Sequence, residues 1–220
     1  MFSVSSKVLC RSRLRRALQS RSMSNYFKLF PKTFPSQKPE WAVDTKSLRK
    51  EYRSLQAKFH PDANISTPEV GETSSSSDQS SLLNIAYDTL KTPLLRSQYI
   101  LGSFFDTNLQ QEAVANKFLN GDSNILLKIL EIHENIEDCQ DAEEIEELNN
   151  ANKSRIENVE KELDSLYGRL FNGQEHIVRD TELMDIIAKK TVELKYWINL
   201  SKAIKEWEPD ADNSNITINH

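Results

Sequence analysis

With 220 residues, the chain can hold one large domain or two small ones; 38% of its residues are hydrophobic and 28% charged, for a net charge of −5. No apolar run approaches the ~18 residues needed for a membrane-spanning helix. The two cysteines, Cys10 and Cys139, stand far apart and alone, which excludes a disulfide framework and a CxxC zinc site.

Nine of the 28 basic residues precede Glu40, and all 33 acids lie from Glu40 onward. This front segment is rich in Arg and Ser and free of acids, and Phe2, Val8, Leu9, Leu14 and Leu18 supply one apolar helix face. That is the pattern of a mitochondrial transit peptide, with cleavage expected between Arg21 and Ser24. A basic tail or a nucleic-acid-binding arm is the alternative, although arms usually lack such periodicity. The acidic remainder argues against nucleic acid as a partner of the body.

Next comes a short aromatic segment, Tyr26 to Phe30, closed by Pro31 and followed by a linker punctuated by Pro35 and Pro39. Asp44 or Thr45 can cap a helix that begins near Lys46, in which Leu48, Tyr52, Leu55 and Phe59 recur at spacings of four, three and four and mark the buried face. One residue along, Arg49, Arg53, Gln56 and His60 repeat the spacing, so a basic ridge leads toward His60. Pro61 lacks an N–H and restricts its neighbour, so the helix should stop at Phe59 or His60. A loop is expected from Ala63 to about Gln79, including the Ser-rich 72–81 stretch, with helix resuming at Ser80 or Ser81 and ending before Thr92-Pro93. A shorter helical piece runs to Gly102.

Residues 103–121 read as a linker with at most one helical turn. No proline falls between Pro93 and Pro209, so the rest should be helical. Three amphipathic helices are expected there, over 122–138, 142–171 and 175–206. The second carries Ile156, Val159, Leu163, Leu166 and Leu170, and the third Leu183, Ile187, Leu194, Trp197, Ser201 and Ile204. Joined by short loops, they make an antiparallel bundle. On the first, Ile125, Ile129, Ile132 and Ile136 already complete one apolar stripe. Leu126 and Leu130 form a surplus strip beside it, open to a binding role or to widening the core face.

The chemistry centres on His60-Pro61-Asp62. Pro61 fixes the backbone, Asp62 offers a carboxylate to a cation, and His60 offers ring donors and a flat face. The plain alternative is a turn in which Asp62 satisfies backbone amides. A His-Asp catalytic dyad has no companion nucleophile, oxyanion turn or metal-ligand cluster, since His133, His176 and His220 are scattered, and no P-loop is present. The chain does not read as an enzyme, and no cofactor or metal is expected.

The run SLRKEYRSLQAKFHPDANI, followed after a loop by SLLNIAYDTLKTPLLRSQYI, resembles the J-domain of DnaJ-type cochaperones. The resemblance implies that His60, Pro61 and Asp62 engage a heat-shock-70 ATPase between its nucleotide-binding and substrate-binding domains. It implies also that Arg49, Arg53, Lys46, Lys50 and Lys58 face an acidic surface of that ATPase. No Gly/Phe-rich linker or zinc repeat follows. Instead Tyr26-Phe27-x-Leu29-Phe30-Pro31, the run from Ile125 to Glu134 and the run from Thr191 to Trp197 make the chain similar to the HscB/Jac-type cochaperones of iron–sulfur cluster biogenesis, specifically a fungal mitochondrial member.

That resemblance implies an all-α protein: an N-terminal J-domain, a helical hairpin with an HPD loop, and a C-terminal antiparallel three-helix bundle. The expected organisation is transit peptide 1–23, J-domain 24–102, linker 103–121, scaffold-binding bundle 122–208 and tail 209–220. Two partners are implied, a mitochondrial heat-shock-70 chaperone in the matrix and the iron–sulfur scaffold protein. Leu126, Leu130 and Tyr196 would hold the scaffold at the centre, with Ile125, Lys128, Glu131 and Glu134 around them. A general matrix J-protein delivering unfolded polypeptides is the competing expectation.

Overall fold

A computed structural model describes residues 25–59, 73–119, 123–171 and 180–207, and the described residues form helices without strands. Helix α1 (Tyr26–Leu29) is a single turn capped by the Asn25 side chain, which accepts the Phe27 N–H at 3.1 Å. Its purpose is packing. Phe27, Phe30 and Phe34 are all essentially fully buried, and Phe27 meets Phe34 edge-on at 5.0 Å.

Helix α2 (Thr45–Phe59) and helix α3 (Thr73–Lys91) pack as a hairpin. Leu48 is fully buried, while Tyr52, Leu55 and Phe59 are half-buried against the same core, so the expected stripe is the inner face. The helix α3 begins at Thr73, well before the expected Ser80, so part of the Ser-rich stretch is helical. Once Leu83, Ala86 and Leu90 anchor the C-terminal half, each preceding residue adds a hydrogen bond at small cost, even for weak helix formers.

Helix α4 (Pro93–Phe104) starts with Pro93 in its first turn, where a missing N–H costs nothing. It ends where Asp106 takes a left-handed backbone (φ 58°) and the Thr107 N–H returns to the Leu101 carbonyl at 3.0 Å. Residues 103–121 are more than a linker. They contain the two-turn helix α5 (Glu112–Leu119), which buries Ala115 and packs on the last helix, and Phe105 and Leu109 are buried ahead of it.

Helix α6 (Ser123–Asp138) and helix α7 (Ala142–Phe171) have the expected extents. Helix α8 (Thr181–Glu206) begins six residues later than expected, because Asp180 caps it by accepting the Leu183 N–H at 3.0 Å. The pairings of Asn152 with Trp197 and of Glu162 with Lys190 run in opposite senses along α7 and α8, which makes the pair antiparallel. Val159, Leu163 and Leu170 meet Leu183, Ile187, Leu194, Trp197 and Ile204 in its core.

The two halves are in direct contact. Helix α4 packs on α8, and its Ser97 hydroxyl lies 2.7 Å from the Tyr167 hydroxyl of α7 and 2.5 Å from that of Thr191 on α8. Trp41, which precedes the hairpin, stacks on Tyr167 with centroids 4.6 Å apart, and the Arg96 guanidinium lies 4.6 Å over the Trp41 ring.

Candidate functional site

Two surfaces carry the candidate residues. The first is the outer side of α2, whose start is set by Asp44: its carboxylate accepts the N–H groups of Lys46 at 2.9 Å and Ser47 at 3.2 Å and the Ser47 hydroxyl at 2.6 Å. The Ser47 hydroxyl, followed by the two amides, holds the Asp44 carboxyl below its ordinary range. From this cap Lys46, Arg49, Lys50, Arg53 and Lys58 all emerge exposed.

They do not form one row. At about 100° per residue, Lys46, Arg49 and Arg53 fall within about 60° of arc, whereas Lys58 is rotated about 140° from Arg53. Gln56, expected on the ridge, turns into the hairpin instead: its amide donates to Asn84 and its carbonyl accepts the Ser80 hydroxyl at 3.0 Å. The Tyr52 hydroxyl donates to the same Asn84 oxygen at 2.8 Å, and the Tyr52 and Tyr87 rings stack at 4.1 Å. This polar and aromatic seam fixes α2 on α3, and so fixes the direction in which Arg49 and Arg53 point.

Glu51 was not anticipated. It is buried, and its carboxylate accepts the N–H groups of Lys32 at 2.9 Å and Thr33 at 2.7 Å and the Thr33 hydroxyl at 2.7 Å, tying the turn after α1 to the hairpin. A signal was available, since Glu51 is the lone acid in a helix sequence with five basic residues. His60, Pro61 and Asp62 lie outside the described residues, directly beyond the end of α2 at Phe59.

The second surface lies on α6. Ile129, Ile132 and Ile136 are buried and Ile125 is half-buried, so that stripe is the inner face. Leu126 is half-buried at its edge, whereas Leu130 is 59% exposed with Lys128, Glu131 and Glu134 exposed around the same helix. Leu127, which the sequence reading passed over, is the most exposed large hydrophobic side chain among the described residues at 62%. It belongs to neither recurring strip. The available signal was the unbroken Ile125-Leu126-Leu127 run, which an amphipathic helix cannot bury on one face. Tyr196 is half-buried on α8, the helix against which α6 packs.

Beside the end of α6 lies an open groove of about 480 Å³ lined by Asn135, Asp138, Cys139, Glu144, Glu147, Leu148 and Ala151. Partial burial and the carboxylates of Glu144, Asp141 and Asp138 push the Cys139 thiol up, which leaves little thiolate to act as a nucleophile. Among the described residues no three His, Cys, Asp or Glu side chains converge on a point that could hold a metal ion.

Residues 121–205, which span α6 to α8, match the family model described as the HSCB C-terminal oligomerisation domain. Over 196 residues the chain is 40% identical to the mitochondrial J-type co-chaperone Jac1 of Saccharomyces cerevisiae, covering 89% of this chain and 95% of that one. This chain belongs to the Jac1/HscB family of J-type co-chaperones. A solved structure of yeast Jac1 superposes with a TM-score of 0.69 at 41% identity, covering 86% of this chain and 97% of that one. Human co-chaperone HscB, at 22% identity with a TM-score of 0.63 and coverage of 85% and 86%, shares the fold. In this Jac1/HscB family member the basic ridge and the leucine strip therefore occupy separate halves of one all-helical fold. The ridge belongs to the hairpin and the strip to the bundle.

Proposed function

We propose that this protein is a two-handed adaptor of the mitochondrial matrix: it stimulates the ATPase of a heat-shock-70 chaperone and presents to it the scaffold protein on which iron–sulfur clusters are built. The observation that carries the reading is the exposed Leu127–Leu130 surface on a helix whose opposite face already fills the core. Large apolar side chains left in water on a rigid helix mark a protein-binding face. A preformed helical face of this kind suits a folded client better than an unfolded polypeptide, which favours the scaffold over general delivery of unfolded chains.

The chemistry is recognition. Lys46, Arg49 and Arg53 present positive charge along the helix that precedes His60-Pro61-Asp62 in sequence, which raises the encounter rate with an acidic ATPase surface and orients it. Pro61 stiffens the loop, Asp62 meets a cationic group, and His60 supplies a directional contact, together favouring the hydrolysing state of the ATPase. Leu126, Leu130 and Tyr196 hold the scaffold, and hydrolysis then locks the chaperone onto it for cluster transfer. The cluster is cargo on the scaffold, and no cofactor is required of this chain. We assign the leader to 1–23, the J-domain to 24–102 and the scaffold-binding bundle to 122–208.

The test is single-turnover ATP hydrolysis by the matrix chaperone, with wild type and with His60→Gln, in the presence and absence of scaffold. Wild type should stimulate, more so with scaffold, and His60→Gln should not. No stimulation by wild type overturns the reading. Stimulation indifferent to scaffold would replace it with general polypeptide delivery.

A further inference from the structure

The turn after α1 is held at two points. The Phe34 N–H closes it on the Phe30 carbonyl at 2.8 Å, with both of those rings buried. The buried Glu51 of α2 then accepts the N–H groups of Lys32 at 2.9 Å and Thr33 at 2.7 Å. The exposed Lys32 side chain therefore leaves from a fixed backbone. Between this turn and α2 lies a notch of about 260 Å³ lined by Lys32, Thr33, Ser47, Lys50, Glu51 and Ser54.

The charges around the notch do not balance. Glu51 is the one carboxylate among the lining residues, it is 6% exposed, and its two oxygens already accept both amides and the Thr33 hydroxyl at 2.7 Å. The Lys32 and Lys50 ammonium groups form no ion pair among the described residues, although both line the same opening. The exposed Ser54 hydroxyl has no partner among the described residues either. Two cations and a hydroxyl around one opening, with the local carboxylate already engaged, make a receptor for an anion from outside. The volume falls short of the ~300–1,000 Å³ of small-molecule sites, which suits one inserted side chain better than a free metabolite.

The position of the notch points to the partner. At about 100° per residue, Lys50 stands about 40° from Lys46 on one side and about 40° from Ser54 on the other, so the notch adjoins the basic ridge. A surface that meets the ridge meets the notch in the same encounter. We propose that Lys32 and Lys50 clasp a single Asp or Glu side chain of the heat-shock-70 ATPase, which makes the turn after α1 a specificity determinant for that chaperone. The inference rests on the ATPase half of the reading above. The field of the ridge draws the partner in, and the notch adds a short-range ion pair at a fixed point, which a chaperone without an acid there cannot form.

The full-length mature chain is titrated into single-turnover hydrolysis by purified matrix chaperone, comparing wild type, Lys32→Ala, Lys32→Arg and Lys38→Ala, the last removing an exposed lysine outside the notch. Lys32→Ala should raise the half-saturating concentration about tenfold with the plateau unchanged, Lys32→Arg should restore most of the loss, and Lys38→Ala should stay within about twofold of wild type. A carbodiimide, which joins an amine directly to a carboxylate in contact with it, should couple Lys32 or Lys50 to an Asp or Glu of the ATPase, located by mass spectrometry. Inorganic phosphate should inhibit no more than sodium chloride at matched ionic strength. Equal losses in Lys32→Ala and Lys38→Ala, no rescue by Lys32→Arg, or coupling to no ATPase carboxylate overturns the proposal. So does a stronger inhibition by phosphate that vanishes in Lys32→Ala, which would assign the notch to a free anion. Absence of stimulation by wild type overturns the ATPase reading itself, whereas normal stimulation with Lys32→Ala indistinguishable from wild type overturns the notch alone.

Discussion

Helices α2 and α6 are nearly the same length, 15 and 16 residues, and each buries one face, but they differ in what they leave outside. Helix α2 exposes five basic side chains and no large apolar one, whereas α6 exposes Leu127 and Leu130 among Lys128, Glu131 and Glu134. The first surface acts at a distance through its field and is weakened by salt. The second works on contact, with its charged rim making the smaller, salt-sensitive contribution. A protein that must attract one partner quickly and hold another firmly is served by this division.

The comparison is broken most directly by His60→Gln, which should abolish ATPase stimulation and leave scaffold affinity unchanged in a titration. The double variant Leu126→Ala/Leu130→Ala should do the reverse, weakening scaffold binding by about 2 kcal/mol or more, roughly thirtyfold, with stimulation by the J-domain intact. Core and surface on α6 can be separated by stability: Ile132→Ala should cost about 2–4 kcal/mol in urea unfolding, and Leu130→Ala about 0.5 kcal/mol or less. If both destabilise alike, Leu130 belongs to the core.

Arg49→Ala/Arg53→Ala should slow association with the ATPase about tenfold at low ionic strength and much less at high salt, read by stopped-flow. A salt-independent loss would show that the arginines make short-range contacts. Asp180→Ala should destabilise the bundle by about 1 kcal/mol through loss of the α8 cap. The smallest effect concerns Asp44. Its folded pKa lies below the ordinary carboxylate value, so its stabilisation is present above that value and is lost as pH falls through the lower folded pKa. Unfolding of Asp44→Asn between pH 4 and 2 should show a shallower slope than wild type.

The parts legible beforehand are those in which hydrophobic period and helix boundaries agree. The Ile125–Ile136 stripe located α6 to within a residue, and the heptad positions of α7 located that helix equally well. The start of α3 was hidden because a Ser/Thr run carries no periodic signal, and its helicity comes from packing further along. Helix α5 has only two turns, too few for a period to show. The candidate site was half legible. Arg49 and Arg53 could be placed on an exposed face from spacing alone, whereas spacing left Leu130 open between an exposed strip and a wider core face; the inward turn of Gln56 depends on Ser80 and Asn84 across the hairpin, and Leu127 has no repeat to reveal it. Least legible was the junction, because Ser97, Tyr167 and Thr191 are polar residues 70 and 94 positions apart that hydropathy assigns to no common layer.

The aromatic turn at the front of the described chain has a consequence for how the protein acquires its shape. The Tyr26 N–H donates to the Tyr99 hydroxyl at 3.0 Å, 73 residues away, with the two rings stacked at 4.4 Å, and Phe27 leans on Phe104. A chain made from its amino terminus presents Phe27 and Phe30 before α4 is there to cover them. Those rings are without their pocket for the whole of that interval, and closure of this long loop is the slow, non-local step on which completion of the hairpin waits. The amino-terminal module is thus the first to be made and among the later ones to finish. While it waits it exposes greasy, extended sequence of the kind that heat-shock-70 chaperones themselves bind.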